Sequence, residues 1–97
     1  MFTVRHALSF DKQIENLSPA ACRIIERKVD LLEQNPFRYK RLKVKLIPLF
    51  RIRCSLDGKD ARLIYMIHDS EVVMLHIMDR KEGYKNIEKR ILRLLRE

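Results

Sequence analysis

The chain has 97 residues, enough for a single small domain spanning 1–97 and built on one core. Hydrophobic residues make up 46% and no apolar run approaches the roughly 18 residues of a membrane span, which argues against a disordered chain and against a spanning helix. Lys and Arg number 21 against 13 Asp and Glu, a net charge of +8, which favours a polyanionic partner, nucleic acid or ribosome, over charge kept for solubility alone.

From the amino terminus, "FTVRHAL" alternates Phe2, Val4, His6 and Leu8 against Thr3, Arg5 and Ala7, the period of a first strand. His6 falls on the apolar side and reads as a packed, hydrogen-bonded histidine. Ser9 can cap a helix in which Phe10, Ile14 and Leu17 make one stripe. "LSPAACRIIERKVDLLEQNP" predicts a second helix, with Ser18 as N-cap and Pro19 in the first turn, where a missing N–H costs nothing. Cys22, Ile25, Val29 and Leu32 are its expected buried face, and Asn35-Pro36 its end. The two helices form a hairpin joined at Leu17-Ser18.

Residues 37 to 47, "FRYKRLKVKLI", lose helical amphipathicity and crowd Lys40, Arg41, Lys43 and Lys45 together. A basic loop or short edge strand is expected, its cations either solvated or on phosphate. Three strands follow. Asp57-Gly58 is a two-residue hairpin signal, because a type I′ turn needs positive φ at both positions. Centring the turn there sets Arg53 opposite Arg62, Ile52 opposite Leu63 and Phe50 opposite Tyr65. A three-residue turn over His68-Asp69-Ser70 would set Leu63 opposite Leu75, Tyr65 opposite Val73 and Arg62 opposite His76. One face then holds Phe50, Ile52, Cys54, Leu63, Tyr65, Ile67, Val73, Leu75 and Ile77. The other holds Arg51, Arg53, Arg62, His76 and Arg80, together with Ile64, Met66, Met74 and Met78, which need a cover. In "YKNIEKRILRLLRE", Ile87, Ile91, Leu94 and Leu95 make a helical stripe, so a C-terminal helix or a partner is the expected cover. No internal repeat or low-complexity segment is present.

Like charges directly opposite destabilise a sheet. Arginines gathered on one face make sense around a phosphate, which guanidinium groups grip through paired N–H donors. Other chemistries lack their residues. Gly58 and Gly83 are the only glycines, so there is no phosphate-binding glycine loop. The acids show no metal-site spacing, and no cofactor or metal is expected. Cys22 and Cys54, 32 residues apart and without a CxxC motif, read as small core residues rather than ligands or nucleophiles, and no disulfide is expected. The N-terminus lacks a signal-peptide pattern, so a cytoplasmic location is expected.

The order of a strand, two helices, three strands and a helix accompanies "NP" closing the second helix, a basic stretch with "RLK", then "LFRIR", "ARLIY", "VVMLHIMDRKEGY" and "EKRIL". Over almost its full length the chain resembles the RelE/ParE superfamily of toxins from prokaryotic toxin–antitoxin pairs, and within it the RelE branch. The resemblance implies an α+β, RelE-like fold. Its parts are a small antiparallel sheet with an N-terminal strand, a two-helix hairpin on one face, three consecutive C-terminal strands and a C-terminal helix. It implies an endoribonuclease that cuts messenger RNA in the ribosomal A site, and a cognate acidic, RelB-like antitoxin that neutralises it. The implied cleavage residues are Arg51 and Arg53 in "FRIR", Arg62 in "ARLIY", Arg80 in "MDRKEGY", and Tyr84. Lys40, Arg41, Lys43 and Lys45, with Lys59 at the hairpin tip, are expected to touch RNA or the ribosome. Asp79 departs from the pattern, standing where many relatives have His or Lys. A RelE-like site would work by attack of the RNA 2′-hydroxyl on the adjacent phosphate, with Tyr84 as base or stacking ring and His76 as a substitute acid or base. The competing reading is a ParE-type toxin that binds DNA gyrase and cleaves nothing; it does not need the set Arg51, Arg53, Arg62, Arg80 and Tyr84.

Overall fold

Thr3–His6 forms β1, and it lies beside the last strand of the chain rather than beside its neighbour in sequence. The computed structural model describes residues 1–79, 81, 83 and 86–95. After β1 come α1 (Leu8–Ile14), α2 (Pro19–Gln34), a 3₁₀ turn (Pro36–Arg38), β2 (Lys40–Arg41), β3 (Leu49–Leu56), β4 (Lys59–His68), β5 (Glu71–Asp79) and α3 (Ile87–Leu95). The sheet order is β1-β5-β4-β3-β2. The class is α+β, as expected, but the sheet is mixed: β1 runs parallel to β5, while the other three pairings are antiparallel. Only a tight hairpin forces neighbouring strands to be antiparallel, and β1 reaches β5 through the whole intervening chain.

Ser18 caps α2 as its sequence indicates, its Oγ accepting from Ala21 N at 3.1 Å, with Pro19 at the first position. Asn35 ends the helix, and its side chain accepts from Phe37 N at 3.2 Å to start the 3₁₀ turn. The start of α1 differs from expectation. Ala7 is its N-cap, without a side-chain bond, and Ser9 lies inside the first turn. The Ser9 hydroxyl donates instead to Leu75 O at 3.0 Å. One turn on, Gln13 Nε2 donates to Ile77 O at 2.9 Å while Ile77 N donates to Gln13 Oε1 at 2.8 Å. β1 ends at His6, opposite Met74, so among the described residues β5 beyond that point has no strand on its outer side. The α1 side chains supply the hydrogen bonds a strand would have made.

Two apolar layers sandwich the sheet. Phe10, Ala21, Ile25 and Leu32 of the helix hairpin pack on Phe50, Ile52, Leu63, Tyr65, Val72 and Met74. On the other face, Ile87 and Ile91 of α3 pack on Leu42, Leu49, Ile64, Leu75 and Met78. The C-terminal helix is thus the cover for Ile64 and Met78, with Met66 at its margin.

Asp57 (φ 52) and Gly58 (φ 78) make the β3–β4 turn, and Phe50–Tyr65, Ile52–Leu63 and Arg53–Arg62 pair as read from the sequence. The β4–β5 turn is a correction. It has two residues, Asp69 and Ser70, because Asp69 takes the left-handed region (φ 55) that aspartate tolerates, and His68 closes against Glu71. Tyr65 therefore meets Met74, not Val73. An irregularity between Ile64 and Tyr65 then shifts the register, so Leu63 meets Ile77 and Arg62 meets Met78, in place of Leu75 and His76. Val73 and Leu75 consequently face α3, while Val72 and Met74 face the hairpin, and the bulge returns Ile77 to the hairpin side. Among the described residues no helix is long and apolar enough to cross a membrane.

Candidate phosphate-binding groove

Leu49 O accepts from Leu42 N at 2.8 Å, so the backbone of Leu49 points toward the β2 side. By strand alternation the backbones of Arg51 and Arg53 point the same way, away from β4. Arg51–Ile64 and Arg53–Arg62 are therefore non-hydrogen-bonded pairs of β3 and β4, with Cα atoms about 4.5 Å apart and side chains at their closest. These side chains share the sheet face with Ile64, the face that α3 partly covers. Arg53 is exposed. Arg51 and Arg62 are half-buried, with Arg51 Nη1 and Arg62 Nε withdrawn from solvent. A charge held partly out of water acts more strongly on a neighbouring phosphate than one in bulk solvent.

Beside them a groove of about 450 Å³ is lined by Lys40, Arg41, Leu42, Lys43, Val44, Arg51 and Arg53. Five of the seven are cations and none is an acid. The local cause is the brevity of β2. Lys40 pairs with Arg51 and Arg41 with Phe50, after which the chain leaves the sheet. Leu42 and Val44 pack into the α3 layer and form the apolar margin of the groove, and Lys43 between them adds a cation to its lining. Lys45 is exposed and does not line it. Lys59 lies in a second cavity of about 430 Å³ with Gly58, Asp60, Asp79 and Lys81, where acids balance the bases. Of the expected RNA contacts, Lys40, Arg41 and Lys43 thus join Arg51 and Arg53, while Lys45 and Lys59 do not.

His76 is set apart from Arg51. It shares a rung with Ile64 and Arg51, but Ile64 lies between them, fully buried under α3. Two strand spacings, about 9–10 Å, separate the His76 and Arg51 backbones. His76, 9% exposed, opens on another cavity, with Ser9, Gln13, Arg90, Arg93 and Leu94. Arg62, paired with Met78, is one same-face position from the Ile64–His76 pair on the adjacent strand, so the expected acid or base role of His76 rests on its approach to Arg62 and not to Arg51. Arg80 and Tyr84 lie outside the described residues. Asp79, just before Arg80, closes β5 opposite Ala61, and its Oδ1 accepts from Lys81 N at 2.9 Å.

The remaining reactive groups are structural. Cys22 and Cys54 are unbonded to each other and half-buried, and burial pushes the Cys54 thiol up against the pull of Lys28, which keeps it protonated at neutral pH. Tyr65 is fully buried, donates to Pro36 O at 2.6 Å, and has its phenol raised above the ordinary range by that burial. His6 is exposed rather than packed, its Nδ1 3.1 Å from Asp11 Oδ1 and its ring edge-on to Phe10. No group of three or more His, Cys, Asp or Glu among the described residues could hold a metal ion. The described part of the groove can grip a phosphodiester and stabilise added negative charge.

Reading the sequence missed Glu88, whose carboxylate accepts from the backbone of Leu46 and Ile47 in the loop behind Lys43. Its only sequence signal was an acid in the first turn of a helix. No protein-family model matches the chain, and no curated protein matches it.

Proposed function

We propose that this chain is a ribosome-dependent endoribonuclease of the RelE-like kind, which stops translation by cutting messenger RNA in the ribosomal A site. The observation that carries the reading is the juxtaposition of Arg53 with Arg62, two rungs from Arg51 on the same face and at the edge of a groove whose described lining has five cations and no acid. A face built only for stability would place an acid across from arginine. The resemblance of "LFRIR", "ARLIY" and "MDRKEGY" to the RelE branch supports it, as does the net charge of +8.

In this reading the 2′-oxygen bonds to phosphorus as the bond from phosphorus to the 5′-oxygen breaks. Tyr84 takes the 2′-hydroxyl proton as the general base. Arg62 and Arg80 hold the phosphate and its developing charge, Arg51 or Arg53 positions the strand and hydrogen-bonds the leaving 5′-oxygen, and that oxygen takes its proton from water to leave as the 5′-hydroxyl. Lys40, Arg41 and Lys43 seat the flanking phosphates. An acidic antitoxin of the RelB-like kind silences the protein by neutralising this surface. The site works in the cytoplasm on ribosome-bound message, without metal or cofactor.

Primer extension on a message translated in a cell-free extract with the purified protein tests the reading. Cuts within codons held in the A site are expected. Intact message with damaged DNA supercoiling would overturn it in favour of a gyrase-binding, ParE-type toxin.

A further inference from the structure

Glu88 lies in the first turn of α3, and its Oε2 accepts from two successive backbone amides 41 and 42 residues earlier, Ile47 N at 3.0 Å and Leu46 N. Two adjacent N–H groups on one anion make a backbone nest, here filled by the protein's own carboxylate. The loop so held, residues 42–48, has no regular structure between β2 and β3. Leu42 N donates to Leu49 O at 2.8 Å and closes the loop at its base, while the bonds nearer its tip are short-range, Val44 N to Leu42 O at 3.0 Å and Leu49 N to Ile47 O at 2.9 Å. Leu42, Val44 and Ile47 pack into the α3 layer. The residue between the first two, Lys43, lines the cationic groove.

We infer that Glu88 is a positioning residue for the groove: by clamping the Leu46–Ile47 backbone to α3 it holds the loop that presents Lys43 toward Arg51 and Arg53. The inference rests on the proposed reading only in taking RNA as the ligand. It also makes groove and helix reciprocal. If docked α3 tightens binding of a phosphodiester, a bound phosphodiester tightens the docking of α3 by the same factor.

Simple electrostatics predicts the opposite sign. Glu88 is a negative charge near a cationic groove, so its removal alone should strengthen RNA binding. Glu88→Gln removes the charge but keeps a carbonyl oxygen able to accept both N–H groups, whereas Glu88→Ala removes charge and clamp together. The comparison is made on the full chain, with a short single-stranded RNA carrying 2′-deoxy substitutions so that it cannot be cut. Amide hydrogen exchange is followed at Leu46 and Ile47. Glu88→Ala is expected to speed exchange at both amides by about tenfold or more and to weaken RNA binding by about tenfold, the scale of losing a charged hydrogen-bond partner. Glu88→Gln is expected to bind at least as tightly as the wild type. Lys43→Ala is expected to be non-additive with Glu88→Ala, since both act through the same loop.

Equal RNA affinity for the Ala and Gln variants, with unchanged exchange, would overturn the inference. Should Glu88→Ala fold poorly, the wild type still decides: saturation with the RNA must slow exchange at Leu46 and Ile47, and no slowing overturns the clamp. Neither readout needs cleavage, so a protein that cuts no message on ribosomes removes the nuclease reading and leaves the clamp to be judged on these measurements.

Discussion

Arg53 stands directly across from Arg62 on the β3–β4 pair, at a position where facing side chains approach most closely. Like charges so placed cost roughly 0.2–1 kcal/mol against a neutral pair. Arg53→Thr, which also suits a strand, is therefore expected to raise stability by a few tenths of a kcal/mol while lowering RNA binding. Urea denaturation at low and high salt checks it, and the gain should shrink as salt screens the pair. A loss of stability would mean that Arg53 serves the fold.

Gln13 occupies the place of a missing strand. Its amide both donates to and accepts from the backbone of Ile77, where β1 no longer covers β5. Gln13→Leu keeps the volume and loses both bonds. The expected cost is about 1–3 kcal/mol, with faster amide exchange at Ile77. Ser9→Ala, which loses one bond to Leu75 O, should cost less, near 1 kcal/mol. Equal stability of wild type and Gln13→Leu would refute the edge-capping role.

Local chemistry was legible in the sequence where it acts alone. Ser18 and Pro19 start α2, and Asp57-Gly58 makes its turn, because a cap or a positive φ is decided by one or two residues. The arginine pair followed from that turn, since two-residue hairpins fix the register beyond them. The second turn was not legible. Asp69-Ser70 and His68-Asp69-Ser70 are both acceptable turns locally, and the bulge at Ile64–Tyr65 compensates part of the difference. The face assignments of Val73, Met74 and Leu75 on β5 reversed with that choice. His76 illustrates the remaining limit. The alternation placed it correctly on the arginine face, but only the packing of α3 over Ile64 shows that it is separated from Arg51. Glu88 was hidden for the same reason, as its partners are backbone amides of a distant loop.

Asp57 carries the pH dependence that the structure makes most specific. Its carboxylate accepts from the Ser18 hydroxyl and from Ser18 N at 3.1 Å, and these bonds lower its pKa below the ordinary aspartate value. A depressed folded-state pKa means stability that is present above the unfolded value, about 3.9, and is lost as pH falls through the folded value. Asp57→Asn keeps an Asn-Gly turn and an acceptor for Ser18 but cannot titrate. Urea midpoints from neutral pH into the acid limb should therefore fall less steeply for Asp57→Asn than for wild type below about pH 4. Parallel curves would show that the Ser18 bonds do not distinguish the two states of the carboxyl.

The proposed antitoxin must contend with α3. Met78 is fully buried in the α3 layer and Met74 lies on the opposite face, so of the methionines first considered only Met66 is within easy reach. An acidic partner that covers this side therefore either lies along the rim at Met66, Lys43 and Arg53 or displaces α3. Hydrogen exchange on the complex separates these cases. Protection confined to β3 and the 42–48 loop indicates the rim, and faster exchange in α3 with new protection in β5 indicates displacement. No change at either place would remove this face as the site of neutralisation.

The chemistry itself gives the most demanding test. If the groups of the site supply charge but no strong base, the protein should cut RNA only where the ribosome holds the strand in line. The proposed mechanism makes the RNA's own 2′-hydroxyl the nucleophile, so the products should carry a 2′,3′-cyclic phosphate and a 5′-hydroxyl, and a single 2′-deoxy substitution at the cut site should abolish cleavage while leaving binding nearly intact. Removing one donor that stabilises developing charge typically costs about 10²- to 10³-fold in rate, so Arg62→Ala and Arg80→Ala should each lose activity on that order with less effect on ribosome affinity. Tyr84→Phe should be comparably damaging if the phenol moves a proton and mild if the ring only stacks. Replacement of His76 by Gln should leave the rate within about threefold if it affects only the separate cavity beyond Ile64, where it opens beside Arg90 and Arg93. Single-turnover cleavage on programmed ribosomes measures all of these. A 5′-phosphate product would require water as the nucleophile and end the mechanism. Full activity in an Arg62/Arg80 double variant would end the site assignment, and the arginine face would then be a surface for binding alone.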